Sequence, residues 1–319
     1  MNIVFMGTPD FSVPCLKAII NAGHNVSAVF TQPDKPKNRG HKMQMTPVKE
    51  CALENGIEVY QLLSLRKGED GEKSLEILQK LSPDCIVVVA YGQMLPKSVL
   101  DIPKYGCINV HASLLPRYRG AAPIQRCIME GEKVTGVTTM YMAEGLDTGD
   151  MILKEEIPIT DTMTGTMLHD KLSEMGARLI CETLSLLEKG TAPRTPQTDD
   201  NTCYAAMLKK EDCRIDFSKP ANTVYDRIRG LSDAPCAFTF LEGKRLKVYF
   251  AEKLDVDTDK PCGTVIKGEG LCVACGDKKA LRLTDIMPEG GKRMKDSDFL
   301  RGRKVEEGAV LGEEPAANK

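Results

Sequence analysis

The run Cys85–Ala90 (Cys-Ile-Val-Val-Val-Ala) constrains the fold most strongly, because it carries no polar side chain on either face. A strand of this kind must be covered on both sides, which is typical of the centre of a parallel sheet with helices on its two faces. Other short apolar runs alternate with helical patterns over residues 1–160 and predict further strands at Asn2–Met6, Asn25–Thr31 and Cys107–His111.

Two more apolar runs, 134–142 and 151–157, predict a pair of strands at the edge of that sheet. The connection between them is too short for a parallel crossover, so an antiparallel hairpin is expected. A long helical pattern then starts near Thr164 and stops at Gly190, the usual position for a helix-ending glycine. The first domain is therefore predicted to span residues 1–189.

The hydrophobic pattern of the sequence changes after this helix. Residues 190–204 combine prolines, threonines and paired aspartates without periodicity, which predicts a linker. Over residues 205–312, a helix near 221–231 precedes short alternating runs that predict a small barrel. Those predicted barrel strands are 237–241, 245–252, 263–266, 271–274 and 280–286. Residues 313–319 are predicted to be a polar tail. The predicted class is α/β: a Rossmann-like, mostly parallel sheet with helices on both faces, followed by an OB-like β-barrel.

Composition excludes several classes of protein. No apolar run approaches the roughly 18 residues that cross a bilayer, and the apolar stretch at the amino terminus ends at Gly7, too early for a signal peptide. We therefore expect a cytoplasmic chain whose 12 cysteines are reduced. The pair Cys272 and Cys275 lacks the partner ligands of a zinc site, so no metal is expected. A net charge of −2 leaves any RNA contact to local basic clusters.

The most informative polar residues are Asn109 and His111, at the end of a predicted strand. Side chains alternate along a strand, so these two share one face, and the carboxyl end of a parallel sheet is where such folds bind ligands. An amide and an imidazolium there can both donate to an oxygen on which negative charge builds. The segment 144–150 (Glu-Gly-Leu-Asp-Thr-Gly-Asp) lies in the predicted edge hairpin and by itself is ordinary turn sequence.

Asn109, His111 and Asp147 together resemble the catalytic triad of the folate-dependent formyltransferase superfamily. The surrounding segments 113–125 (SLLPRYRGAAPIQ) and 145–150 (GLDTGD) are similar to the branch of that superfamily that acts on methionyl-tRNA. Further segments similar to this branch are 6–11 (MGTPDF), 91–96 (YGQMLP), 291–294 (GKRM) and 298–302 (DFLRG). The resemblance thus covers almost the whole chain, including the second predicted domain.

This resemblance implies transfer of the formyl group of 10-formyltetrahydrofolate to the α-amino group of methionyl-initiator tRNA, through a tetrahedral intermediate. His111, protonated, and Asn109 would donate to the oxyanion, while Asp147 would keep His111 charged and help to remove the amine proton, directly or through water. No metal is required. A monomer without membrane association is expected.

The resemblance also implies two binding surfaces. The folate would be bordered by Tyr91, Gly92, Gln93, Leu95, Ser113, Leu114, Leu115 and Pro116. The tRNA would contact Arg39 and Lys42 in the loop after the second strand, and Lys292, Arg293 and Arg301 in a basic cluster of the second domain. One segment departs from the family pattern: residues 231–236 read Leu-Ser-Asp-Ala-Pro-Cys where an aromatic, proline-rich segment is usual.

Three other interpretations remain open on the sequence. A formyltransferase for an amino sugar nucleotide or glycinamide ribonucleotide would share the chemistry, although such relatives need no RNA-binding domain. A dinucleotide-dependent oxidoreductase would need a GxGxxG turn after the first strand, where this chain has Gly7-Thr8-Pro9. A catalytically silent RNA-binding protein would have no use for Asn109, His111 and Asp147.

Overall fold

The computed structural model describes residues 1–37 and 42–313 as two compact units that interleave along the chain. Unit 1 consists of Met1–Ala121, Thr135–Ile157 and His169–Ala205. Unit 2 consists of Ala122–Val134, Pro158–Leu168 and the described chain from Ala206 onward. The segment 190–204, predicted as a linker, belongs to unit 1. The predicted boundaries 1–189, 190–204, 205–312 and 313–319 stay a prediction.

Unit 1 is built on strands that lie in it wholly or for most of their length. They are β1 (Asn2–Gly7), β2 (Asn25–Phe30), β3 (Lys35–Lys37), β4 (Lys42–Gln44), β5 (Val59–Tyr60), β6 (Cys85–Val89), β7 (Cys107–His111), β8 (Arg119–Gly120), β9 (Val134–Tyr141), β10 (Met151–Pro158) and β11 (Tyr204–Ala205). Seven of them form one sheet in the order β10-β9-β7-β6-β1-β2-β5. β3 pairs with β4 and β8 pairs with β11 outside that sheet.

The large sheet is parallel except at one edge. β1 pairs in parallel with β2 and β6, β6 with β7, and β2 with β5. β9 joins β7 antiparallel, and β10 lies next to β9 at the edge, where the hairpin was predicted. Every residue of β6 and β7 is buried, as expected for strands covered on both faces. The predicted Rossmann-like α/β sheet is confirmed.

The described chain also contains α-helices and short 3-10 helices. They are α1 (Val13–Asn21), α2 (Pro47–Glu54), α3 (Gly68–Leu81), α4 (Lys97–Leu100), α5 (Pro123–Met129), α6 (Gly165–Lys189), α7 (Ala221–Leu231) and α8 (Asp296–Gly302), with 3-10 helices at Asp10–Ser12 and Glu211–Cys213. The Thr46 hydroxyl caps α2 by accepting from the Lys49 amide, and Gly190 follows α6 with φ +66°. No helix within the described ranges is long and apolar enough to cross a membrane.

Unit 2 contains a curled antiparallel sheet of short strands. They are β12 (Ala237–Leu241), β13 (Lys244–Asp257), β14 (Val265–Ile266), β15 (Cys272–Ala274), β16 (Lys279–Pro288) and β17 (Met294–Lys295), in the order β12-β13-β16-β15-β14 with β17 against β16. Residues 309–312 close the sheet, because Leu311 bridges Leu241 of β12 and Val310 bridges Thr264 beside β14. The predicted barrel-like domain is confirmed.

Unit 2 also recruits two segments from the amino-terminal part of the sequence. The buried Arg229 of α7 donates to the carbonyl groups of Thr160 and Met163, and its Nε donates to Asp226 at 2.7 Å. Helix α5 packs against α7 in the same unit. Tertiary packing assigns residues 122–134 and 158–168 to unit 2. A single domain boundary in the sequence cannot describe this division.

Candidate active site at the carboxyl end of the sheet

Asn109 and His111 lie at the carboxyl end of β7, near the centre of the unit 1 sheet. Strand alternation places both side chains on one face, as predicted. They are 9% and 7% exposed, so their polar groups lie almost out of bulk water. Donors in such an environment interact more strongly with developing charge than donors in water do.

Asp147 reaches these two residues from the loop between β9 and β10. Its Oδ1 accepts from Asn109 Nδ2 at 3.4 Å, and its Oδ2 lies 3.7 Å from His111 Nδ1. The Gly120 amide also donates to Oδ2, at 2.8 Å. The structure therefore brings the amide, the imidazole and the carboxylate together, although Asp147 is distant from the other two in the sequence.

The orientation of the His111 ring follows from its second nitrogen. Nε2 lies 2.9 Å from the Tyr118 carbonyl oxygen, which can only accept, so Nε2 carries a hydrogen and donates. Nδ1 is consequently the nitrogen that faces the carboxylate. The distance of 3.7 Å between Nδ1 and Asp147 Oδ2 is longer than a hydrogen bond. Nδ1 can therefore form a hydrogen bond with a substrate atom.

The loop 113–118 forms one side of this site and is held by buried polar contacts. Thr138 Oγ1 donates to the Ser113 carbonyl at 2.7 Å and accepts from the Leu115 amide at 3.2 Å. Lys154 Nζ donates to the Leu115 carbonyl, and burial lowers the pKa of this amine. Leu114 packs where Gly136 has no side chain.

The predicted folate residues of this loop differ in exposure. Ser113 and Leu115 are buried, and Leu115 packs in a small cluster with Met140 and Met151. Leu114 and Pro116 are half-buried. Among these four, the side chains of Leu114 and Pro116 are thus the ones that retain a surface.

In the predicted folate segment 91–96, most side chains contact other residues of unit 1. Tyr91 and Leu95 are buried in a core cluster, and burial raises the pKa of the Tyr91 phenol. The Gln93 side chain donates to the Leu62 carbonyl and accepts from the Leu65 amide at 2.9 Å. Gly92 has φ +87° and leaves only backbone exposed to a ligand.

The predicted tRNA residues are placed unequally. Arg39 lies outside the described residues, and Lys42 begins β4. Lys292 is exposed, and Arg301 is exposed and pairs with Asp298 within α8.

Arg293 differs from the other basic residues of the predicted cluster. Its guanidinium is paired with Asp285 and Asp233 and stacks over the Tyr249 ring at 4.1 Å, and the hydrogen bonds that it donates to Asp285 raise its pKa. Asp233 belongs to the segment 231–236 that departs from the family pattern. These two carboxylates already accept hydrogen bonds from the Arg293 guanidinium. That Arg293 also contacts phosphate stays a prediction.

Several residues that hold this site were not predicted from the sequence. The Gly120 amide contacts Asp147 and the Tyr118 carbonyl contacts His111, while the Gln197 side chain contacts the Asp147 backbone and is itself contacted by Arg119. Gln197 lies in the segment that lacks periodicity. Gly120 lies in β8, and a glycine within a strand often marks a close approach of another backbone, which is the one sequence signal for it.

Gly120 is expected to tolerate no side chain. Its φ is +115°, and a Cβ there would lie 2.9 Å from the Ala205 carbonyl oxygen, within the β8–β11 pair. Gly120→Ala should displace the amide that donates to Asp147, and we expect kcat to fall at least about 10-fold.

The matched control for this change is Gly56→Ala, which also has positive φ but meets no atom within 4 Å. It should cost about 1 kcal/mol of stability and leave kcat unchanged. Steady-state kinetics and thermal unfolding of both variants check this prediction. Equal kcat values for Gly120→Ala and the unaltered protein would show that the Gly120 amide has no role.

Within the described residues, no group of three or more His, Cys, Asp or Glu side chains is arranged to hold a metal ion. Cys272 and Cys275 are both buried, and burial raises the pKa of Cys275 to about 12. A thiol with that pKa is almost entirely protonated near neutral pH and is a poor nucleophile.

We therefore expect iodoacetamide at pH 8 to modify the exposed Cys262 of the folded protein at least about 1000-fold faster than Cys275. Peptide mapping by mass spectrometry over a time course measures both rates. In urea, where burial is lost, the two rates should converge. Similar rates in the folded protein would mean that Cys275 is accessible.

Comparison with known proteins gives a consistent result. The formyl transferase family model matches residues 1–184, and the model of the formyl transferase carboxy-terminal domain matches residues 207–304. A methionyl-tRNA formyltransferase of Agathobacter rectalis is 51% identical, with 98% of this chain and 99% of that protein covered. One of Bacillus velezensis is 50% identical, with 98% of each chain covered.

Two solved structures show the same fold at low identity. The N-formyltransferase of Helicobacter canadensis, in complex with folinic acid and dTDP-3-aminofucose, has a TM-score of 0.65 and 18% identity, covering 88% of this chain and 98% of that one. HypX of Aquifex aeolicus, in complex with tetrahydrofolic acid, has a TM-score of 0.62 and 18% identity, covering 97% of this chain and 51% of that one.

Proposed function

This chain belongs to the formyl transferase family, and on that premise we propose that it transfers the formyl group of 10-formyltetrahydrofolate to the α-amino group of methionyl-initiator tRNA. The product is the N-formylmethionyl-tRNA that starts translation, and the reaction takes place in the cytoplasm. Full-length identity of about half to methionyl-tRNA formyltransferases supports this acceptor over a sugar nucleotide or glycinamide ribonucleotide.

The convergence of Asn109, His111 and Asp147 carries the chemical part of the proposal. The methionyl amine attacks the formyl carbon, a new carbon–nitrogen bond forms, and the carbonyl electron pair moves onto oxygen. Asn109 Nδ2 has two hydrogens, of which the long contact with Asp147 uses one, so the other can donate to that oxygen. The Nδ1–H of protonated His111 supplies the second donor.

The proton balance assigns a role to the carboxylate. The attacking amine loses one proton as it becomes an amide, and the leaving folate nitrogen gains one when its bond to the formyl carbon breaks. Asp147 accepts the first proton, directly or through a water molecule, and releases it again to the folate nitrogen when the oxyanion re-forms the carbonyl and the bond to that nitrogen breaks. No electrons are exchanged with a further reactant, and no metal ion is needed for this balance.

The donor and the acceptor would be bound by different parts of the chain. Leu114, Pro116 and the Gly92 backbone would border the folate, because these groups retain surface beside the site. Arg39 and Lys42 would contact the acceptor end of the tRNA, and Lys292 and Arg301 of unit 2 would contact its phosphates. We propose a monomer, since each chain carries all three groups of the site.

A substrate panel tests the proposed function. The purified protein is incubated with 10-formyltetrahydrofolate and methionyl-initiator tRNA, free methionine, an amino sugar nucleotide or glycinamide ribonucleotide, and tetrahydrofolate release is followed. We expect release only with the charged tRNA, and it should weaken steeply as salt rises. Release with the sugar nucleotide or the ribonucleotide alone would replace the proposed acceptor, and no release with any acceptor would overturn formyl transfer.

A further inference from the structure

We propose that Gln197 is a positioning residue for this reaction, and that it holds Asp147 in place through the backbone of the loop that carries it. The inference rests on the proposed function. Gln197 Nε2 donates to the carbonyl oxygens of Asp147 and Gly149, both at 2.8 Å. A single side-chain amide thus binds the carbonyl groups of the two residues that flank Thr148.

The loop needs such a grip because of its backbone conformation. Asp147 has φ +52°, in the left-handed region that a residue with a Cβ enters only at a cost. Gly149, which follows Thr148, is closely packed, since a Cβ there would lie 1.8 Å from the Tyr141 carbonyl oxygen. Hydrogen bonds to both carbonyl groups favour this conformation over the extended alternatives, and with it the direction of the Asp147 carboxylate.

The orientation of the Gln197 amide is fixed by a second contact. Arg119 Nε donates to Gln197 Oε1 at 3.0 Å, and a guanidinium has no acceptor. Oε1 must therefore face Arg119, which leaves both N–H groups of Nε2 for the loop. Arg119 is 2% exposed and is itself held by Asp199, whose Oδ1 lies 3.1 Å from Nη1.

The segment around Gln197 is anchored at both ends within unit 1. On one side, Thr195 exchanges backbone hydrogen bonds with Met151 at 2.9 and 3.0 Å. On the other side, the Cys203 and Ala205 carbonyls accept from Arg119 and Ala121. Gln197 is half-buried between exposed neighbours, as expected for a side chain that turns inward from a surface strand-like segment. The part of the chain predicted as a linker therefore supports the site.

Gln197→Glu tests this role most directly. Glutamate has nearly the same shape as glutamine and still offers an oxygen to Arg119. Its second oxygen would replace Nε2, so the two N–H donors are lost and an acceptor faces the two carbonyl oxygens. We expect kcat to fall about 30-fold, with KM for folate and for charged tRNA within about 2-fold of the unaltered values. Gln79→Glu makes the same chemical change at an exposed position of α3 and should leave both constants unchanged.

A double-mutant cycle shows whether Gln197 acts through Asp147. In an Asp147→Asn background, the Gln197→Glu change should produce no further loss beyond about 2-fold, because the group being positioned has already lost its function. A full additional loss in that background, or an unchanged kcat for Gln197→Glu alone, would overturn the inference. If Gln197→Glu does not fold, as judged by circular dichroism, Gln197→Met replaces it in the same cycle. Lack of formyl transfer by the unaltered protein would instead refute the proposed function.

Discussion

His111→Gln is expected to lower kcat for formyl transfer by about 1000-fold. The variant removes the donor that faces the developing oxyanion and the positive charge that stabilises it. Glutamine Nε2 lies about as far from the backbone as His111 Nε2 and can keep the hydrogen bond with the Tyr118 carbonyl, which is 2.9 Å away in the structure, so the loop should remain in place. The loss should therefore be in kcat rather than in folding.

Steady-state transfer to methionyl-tRNA, with thermal unfolding as a check on the fold, measures this effect. His24→Gln is the control, because His24 comes immediately before β2 and therefore lies at the amino end of the parallel strands, opposite the site. It should leave kcat within about 2-fold. A His111→Gln variant that folds normally and keeps more than about a tenth of the activity would be incompatible with the imidazole as an oxyanion donor.

Asp147→Asn should lower kcat by about 100- to 1000-fold, because an amide cannot accept the proton that leaves the amine. The variant is nearly isosteric, and asparagine tolerates the left-handed conformation that Asp147 adopts at φ +52°. Its side-chain oxygen can still accept from the Gly120 amide, which lies 2.8 Å from Oδ2 in the structure. Stability should therefore change little, which separates the chemical role from the structural one.

Asp150→Asn provides the matched comparison in the same loop. Asp150 pairs with Arg194 at 3.4 Å and has no contact with His111 or Asn109 among the hydrogen bonds of the described residues. We expect its kcat to stay within about 3-fold of the unaltered protein, since exposed ion pairs contribute little. The proton-acceptor role of Asp147 would have to be abandoned if both variants lost activity equally.

The fold was largely predictable because its signals are local. The uninterrupted apolar run of β6, the short connection between β9 and β10, and the alternating runs of unit 2 each reflect a period or a length visible in a few residues. The extent of β13 was not predictable: it runs from Lys244 to Asp257, past the apolar run that predicted it, because pairing with β16 continues along exposed polar residues.

The candidate site was predictable only in part. Asn109 and His111 stand two residues apart on one strand, so their common face follows from alternation alone. Asp147 is 38 residues from Asn109 and was identified through family resemblance, since its segment reads as an ordinary turn. Gln197 carries no pattern at all: it contacts Asp147 across 50 residues from a segment without periodicity.

Burial was the property that sequence reasoning could least supply. Tyr91, Leu95 and Leu115 were predicted to border the folate, which stays a prediction, and the structure places their side chains in core clusters. Arg293 was predicted from a run of basic residues, whereas Asp233 and Asp285 arrive from elsewhere in unit 2 to pair with it. Such partners depend on tertiary structure that no local pattern encodes.

We propose that one amide, one imidazole and one carboxylate surround the formyl carbon. A crystal structure with a stable donor analogue, 10-formyl-5,8-dideazafolate, would show this geometry. We predict that the formyl oxygen lies about 3 Å from both Asn109 Nδ2 and His111 Nδ1, and that Asp147 lies on the side from which an amine would approach. An analogue bound with its formyl group away from these three side chains, or an Nδ1 that turns from the formyl oxygen, would contradict it.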